Sequence, residues 1–404
     1  MKKGKRRHKL WIGMAAAVVL LNAAAWNSTA FCDAYIAWIF PVWVNTYGRI
    51  TGLFPFSVGE WMIVAGLLLL GCAFVLAPAA ALAVCIPLPA FRRIRGKCLG
   101  MVKGFYVFFI WTLLIVCLVM TLNCFILYHA STFSEKYFGE RGSEAEGTYT
   151  VNELILLYNE IAEKCNALSR QVERDEQGRI VYPGGLLENG EIGTMEEKAI
   201  EIMKQLGETY PQLDGYYPSP KPLFFSDFMC QQYMQGYYFP FSMEANYNDV
   251  MYILNKPACM CHELAHLRGY IYEDEANFIS YLACIQSDDI YFQYSGYLSV
   301  LPYVSNDIYA MQEAGSSISS DVYPVRLYEQ VYEDDVFVTQ EEWDRINGKA
   351  IFDTETVDQV SDVFVDTTLR VNGVEDGMVS YSRVVKLLLQ YQRIQAKQEG
   401  ALGW

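Results

Sequence analysis

Apolar residues are spread unevenly along this chain. Three nearly unbroken runs, residues 10–26, 61–87 and 105–127, fall in its first third, and the remainder mixes apolar and polar positions mostly at helical spacing. The second and third runs exceed the roughly 20 residues that a helix needs to cross a bilayer core. The first is shorter and follows Lys2, Lys3, Lys5, Arg6, Arg7 and Lys9, with Ala23-Ala24-Ala25 near its end. A signal peptide has this layout, and so does a membrane anchor. The two longer spans that follow favour a retained anchor. Residues 31–56 are aromatic, with Trp38, Trp43 and Tyr47, but broken by Asp33, Asn45, Arg49 and several glycines. They are expected to form an interfacial loop lying on the membrane.

From Ser131 onward the pattern is that of a folded water-soluble domain, so the expected division is a membrane region over 1–130 and a second domain over 131–404. Residues 142–147 form a polar linker. Thr150 with Glu153, Thr194 with Glu197, and Thr339 with Glu342 have the spacing of helix capping boxes. The proline-rich stretch at 217–222 is extended. In residues 236–246, strand-like aromatics interrupted by Pro240 suggest either an edge strand that offers its backbone to an extended peptide or an ordinary aromatic hairpin on the core. Residues 291–311 and 379–396 follow helical patterns. The domain is therefore expected to be mainly α with a small sheet.

Charge orients the chain. Arg92, Arg93, Arg95 and Lys97 lie between the second and third runs, whereas Arg49 is the basic residue between the first and second. The positive-inside rule then puts the N-terminus in the cytoplasm and the C-terminal domain outside it, as in a multi-pass protein of the cell membrane. The formal charge of -15 argues against a nucleic-acid partner, which needs a basic surface. Of the 11 cysteines, Cys165, Cys230, Cys259, Cys261 and Cys284 fall in the C-terminal part. That odd number, without a C-x-x-C pair, supports no disulfide framework, although a single bridge is compatible with it.

The chemistry concentrates in Cys261-His262-Glu263-Leu264-Ala265-His266-Leu267-Arg268-Gly269, which contains H-E-x-x-H. On a helix, His262 and His266 share a face one turn apart and can reach one Zn²⁺ about 2.0–2.1 Å away. Glu263 beside them is placed to act on a metal-activated water. Asn255 and Pro257 suit the start of this helix, and Gly269 its end. A second helix opens with Glu273-Asp274-Glu275. The chain's other histidines, His8 and His129, sit at membrane edges, so the third ligand should be a carboxylate. Glu275 is preferred and Glu273 is the fallback; acids in a first helical turn also serve simply to compensate the helix dipole. Cys261 would point away from the histidines' shared face. Tyr297, Tyr381 and Arg383 are candidate donors to an oxyanion.

The stretch from His262 to Cys284, with Tyr237-Tyr238-Phe239-Pro240-Phe241 and Glu244-Ala245-Asn246 before it and Tyr294-Ser295-Gly296-Tyr297-Leu298 after it, resembles an uncharacterised bacterial membrane-protein family, domain of unknown function 3810. The resemblance spans almost the whole chain. More distantly, H-E-x-x-H followed by a helix bearing Glu275-Ala276-Asn277 is similar to gluzincin-like zinc peptidases, whose third ligand is a glutamate on the second helix. That similarity implies an α+β zincin-like domain, zinc on His262, His266 and Glu275, catalysis through Glu263, and a peptide or protein substrate. Tyr272 stands where a metzincin would place its third histidine, which disfavours that class. A membrane sensor or scaffold that keeps the fold without catalysis is the competing expectation.

Overall fold

The computed structural model describes residues 2–85, 92–138, 149–315, 323–371 and 381–398. The apolar runs form α1 (Lys2–Asn27), then α5 (Val58–Cys85) and α6 (Arg92–Met120), with α6 continued by turns at Thr121–Phe125 and Leu127–His129. Within them Arg6–Asn27, Val58–Ala81 and Gly96–His129 are long and apolar enough to cross a membrane. Both α1 and α5 pack on α6.

The expected interfacial loop is helical instead, in three short pieces: α2 (Thr29–Trp38), α3 (Phe40–Trp43) and, after a wide turn at Val44–Gly48, α4 (Arg49–Thr51). Ser28 caps α2 by accepting the Phe31 N–H at 3.1 Å, and Pro41 sits in the first turn of α3, where a missing N–H costs nothing. Cys32, Ile36, Phe40, Val44 and Gly48 follow one another every fourth residue and are buried, whereas Trp38, Val42 and Ile50 are exposed. The buried stripe explains the helices, because packing on the rest of the chain outweighs the turn-favouring residues. Phe40, Val44, Ile126 and Leu127 share one apolar core with Phe133, Leu154 and Leu264, so that core runs across the boundary expected at residue 130.

The remaining helices are α7 (Phe133–Tyr137), α8 (Val151–Leu168), α9 (Met195–Thr209), α10 (Ser226–Cys230), α11 (Asn255–His266), α12 (Glu273–Gln286), α13 (Ile290–Glu313), α14 (Glu329–Asp334), α15 (Gln340–Lys349), α16 (Thr354–Val371) and α17 (Tyr381–Gln398). Thr150 with Glu153 and Thr194 with Glu197 close full capping boxes, and Thr339 accepts the Glu342 N–H. The polar linker at 142–147 lies outside the described residues. Strands β1 (Gly185–Leu186) and β2 (Ile192–Gly193) form a small antiparallel pair. A second sheet has the order β3 (Lys221–Pro222), β5 (Glu244–Tyr247), β4 (Gly236–Phe239), with β3 parallel and β4 antiparallel to β5. Strand β4 is therefore an edge.

Consecutive helices α11, α12 and α13 pack on one another, with α8 against α13 and α17 across α12 and α13. Cys261 and Cys284 meet between α11 and α12, Sγ to Sγ 4.0 Å, fully buried. The sheet is fastened to the start of α5. The Glu244 carboxylate accepts the N–H groups of Val58 (3.1 Å) and Gly59 (2.8 Å) and pairs with Lys221 Nζ at 2.6 Å. Glu60 in turn accepts the Phe224 and Phe225 N–H groups at 2.8 and 2.9 Å. The first N–H groups of a helix lack partners within it, and here an acid on the sheet supplies them.

Candidate metal centre

Helix α11 presents the motif, although its start differs from expectation. The Asn255 side chain does not cap it; the amide donates to the Val336 carbonyl at 2.8 Å, and helical geometry begins at Asn255 itself. The end is as expected. Gly269 takes φ +91°, a left-handed conformation that favours glycine, and turns the chain toward α12.

His262 and His266 lie with ring centroids 4.7 Å apart. Each ring is held by its Nδ1, from the Asn277 Oδ1 at 2.8 Å for His262 and from the Tyr270 carbonyl at 2.7 Å for His266. An acceptor on Nδ1 places a proton there and turns Nε2 toward the cleft, the orientation that metal-ligating histidines take. Both Nε2 atoms face Glu273, at 3.0 Å from His262 and 3.8 Å from His266. The donor atoms of His262, His266 and Glu273 all lie within 4.8 Å of one another. Donors around a tetrahedral zinc stand about 3.3 Å apart, so small side-chain shifts suffice for the three to share one ion. Among the described residues, this is the cluster of His, Cys, Asp and Glu side chains with that property.

The acid facing the histidines is thus the fallback of the sequence reading. The preferred Glu275 is buried and turned the other way, accepting the Phe133 N–H at the start of α7. Burial first, and the neighbouring Asp274 next, push its carboxyl up to about 8. Helix geometry accounts for the difference: Glu273 and Glu275 are two residues apart, so they point to different sides of α12.

Electrostatics separate the remaining groups. Burial opposes charge on His262, but the hydrogen bond and charge of Glu273 outweigh it and raise the ring to about 9. Burial dominates at His266 and lowers it to about 4. Desolvation also opposes charge on Glu273, and the bond to His262 with the charges of both rings brings it down to about 2. Glu263 is 4% exposed, and burial raises its carboxyl to about 8. It accepts the backbone N–H of Tyr238 on β4, while its Oε2 is buried without a hydrogen-bond partner. Two cavities meet here, one of about 260 Å³ and one of about 720 Å³, and both are lined by Gly236, Glu263, Glu273, Asn277 and Tyr303.

The expected oxyanion donors are not gathered at this point. Tyr297 packs edge-on against Tyr281, ring centroids 5.8 Å apart. Arg383 on α17 acts near the start of α12, where its charge partly offsets the burial that raises Asp274. The Tyr381 side chain lies outside the described residues. Tyr303, which sequence reasoning passed over, lines both cavities, and its hydroxyl accepts from Asn277 Nδ2 at 3.3 Å. A signal for it exists in the stripe Ser295, Ser299, Tyr303, spaced four residues apart along α13 and lining the smaller cavity.

Taken together, the fold and the cleft define a mainly helical protein with three apolar N-terminal helices and a histidine-carboxylate cluster of metal-binding geometry. Residues 35–389 match the family described as "Protein of unknown function (DUF3810)", and the chain belongs to that family. No curated protein and no solved structure matches it.

Proposed function

We propose that this protein is a membrane-bound zinc metallopeptidase, a gluzincin-like hydrolase of peptide bonds with an extracytoplasmic catalytic domain of zincin type. The observation that carries the reading is the convergence of two Nδ1-anchored imidazoles and Glu273 on one point, with the unpartnered Oε2 of Glu263 buried beside the same cleft. A structural zinc site would close its fourth position with another protein ligand, whereas a catalytic one leaves it open.

In this reading His262, His266 and Glu273 would hold Zn²⁺, and the chemistry it would supply is a bound water acidified to a pKa of about 7 and polarisation of the scissile carbonyl. Glu263, whose unpartnered Oε2 is buried beside the cleft, would receive the water's proton and pass it to the leaving amine. Asn277 fixes the His262 ring and, through its amide, the hydroxyl of Tyr303, the described group best situated to donate to the oxyanion. Strand β4 is the sheet edge beside Glu263, where an extended peptide can add its own backbone hydrogen bonds.

The extracytoplasmic orientation rests on the basic residues in the first turns of α1 and around the start of α6. The shared core of residues 32–44 and the C-terminal domain fits three spans, which put both on the same side. The test is purified full-length protein loaded with zinc. Glu263→Gln should keep the metal and lose about 10²–10⁴-fold in hydrolysis, and His262→Ala should lose the metal. Unchanged turnover in Glu263→Gln would favour the sensor or scaffold.

A further inference from the structure

The larger cavity has a second wall that the hydrolase reading leaves unused. Alongside Glu263, His266 and Glu273, it is lined by Met120, Cys124 and Tyr128, which lie four residues apart on one face of the third apolar helix as it ends. That face is fastened to the site. The Tyr272 hydroxyl donates to the Tyr128 carbonyl at 2.7 Å, and Tyr238 Oη donates to the Asn123 carbonyl at 3.1 Å. The Asn123 amide donates to the Pro240 carbonyl at 2.8 Å. Tyr272 precedes Glu273, and Tyr238 belongs to the strand that covers Glu263, so the distance between site and helix end is fixed by both elements.

The same helix face continues away from the cleft as Val116 and Leu113, so the wall of the cleft runs on into the membrane-crossing stretch. A second landmark sets the level of the bilayer surface. Trp61 in the first turns of α5 lies near Phe224, 77% exposed, whose loop is fixed to Glu60. Exposed aromatic rings grouped at the end of an apolar helix mark a membrane interface. The interface and the cleft therefore adjoin.

We infer that the substrate is a polypeptide anchored in the same bilayer, whose anchor lies along the helix face leading from Met120 and whose scissile bond lies close to that anchor. This rests on the hydrolase reading and names its substrate class. An extended chain advances about 3.3 Å per residue, so a cleft adjoining the interface receives a bond within about ten residues of the anchor.

The experiment uses the zinc-loaded full-length protein in phosphatidylcholine vesicles, with Glu263→Gln as background. The probes are a synthetic single-span polypeptide carrying a repetitive extramembrane segment, the same polypeptide with a flexible spacer of about 30 residues inserted after the span, and the segment alone in solution. Cleavage sites are read by mass spectrometry. The inference predicts cuts at a constant distance from the anchor, moving into the spacer when it is inserted. Cuts that follow the segment's sequence regardless of the spacer, or equal cutting of the free segment, would overturn the inference and leave the hydrolase intact. No zinc-dependent cutting of any probe above background would overturn both.

Discussion

The buried pair Lys221 and Glu244 offers the sharpest test of how the sheet is held at the membrane. Lys221 is 6% and Glu244 1% exposed at the side chain, and their charged atoms are 2.6 Å apart. Lys221 Nζ also donates to the Thr51 and Phe56 carbonyls, and Glu244 accepts from Ser242 Oγ as well as from the first N–H groups of α5. Glu244→Gln removes the charge and leaves an ammonium buried without its counter-ion. Breaking such a pair from one side costs about 3–5 kcal/mol. With about 2.1 cal/mol/K of unfolding entropy per residue, a chain of 404 residues shifts about 1.2 °C per kcal/mol, so the midpoint of thermal unfolding should fall by roughly 4–6 °C. The double variant Lys221→Met with Glu244→Gln removes both charges and should recover much of the loss. Near-ultraviolet circular dichroism of the detergent-solubilised protein reads both. A single-variant loss below about 1 kcal/mol, or losses that simply add in the double variant, would refute the argument that a compensated buried charge pair docks the sheet on α5.

Other outcomes follow from the same structure. A methyl group at Gly236 would stand 2.5 Å from the Asn246 carbonyl oxygen, 2.7 Å from Cys259 Sγ and 2.9 Å from Glu263 Oε1, so Gly236→Ala should lower turnover while leaving bound zinc in place. Thr194→Ala removes the hydroxyl that caps α9 and should cost about 1 kcal/mol in a denaturation experiment, with zinc content unchanged. Asp227 is held below the usual carboxyl range, chiefly by hydrogen bonds from Arg345. Because the folded value is depressed, its contribution is present above the unfolded pKa of about 3.9 and lost as pH falls through the lower folded value. The protection factors of α15 amides, measured relative to intrinsic exchange, should therefore fall at acid pH, and Asp227→Asn should flatten that dependence.

Much of this arrangement is legible in the sequence where local rules act alone. The apolar runs, the capping threonines at 150 and 194, the glycine that ends α11 and the spacing of His262 and His266 each follow from short-range geometry. What escaped depends on contacts distant in sequence. Residues 31–56 look like a loop by their prolines and glycines, yet as far as Thr51 they fold as helices, because every fourth residue from Cys32 to Gly48 is buried. Glu275 has a convincing place on α12, but Phe133, 142 positions earlier, claims it. Tyr303 was indistinct among 29 tyrosines until Asn277 linked it to His262.

The central claim is that His262, His266 and Glu273 share one zinc ion, and metal analysis of the purified full-length protein after equilibration with zinc tests it most directly. The account predicts about one zinc per chain, lost in His262→Ala, weakened in Glu273→Ala and retained in Glu275→Gln. A wild-type protein that binds none at neutral pH, or a Glu273→Ala variant that binds it undiminished, would contradict the account.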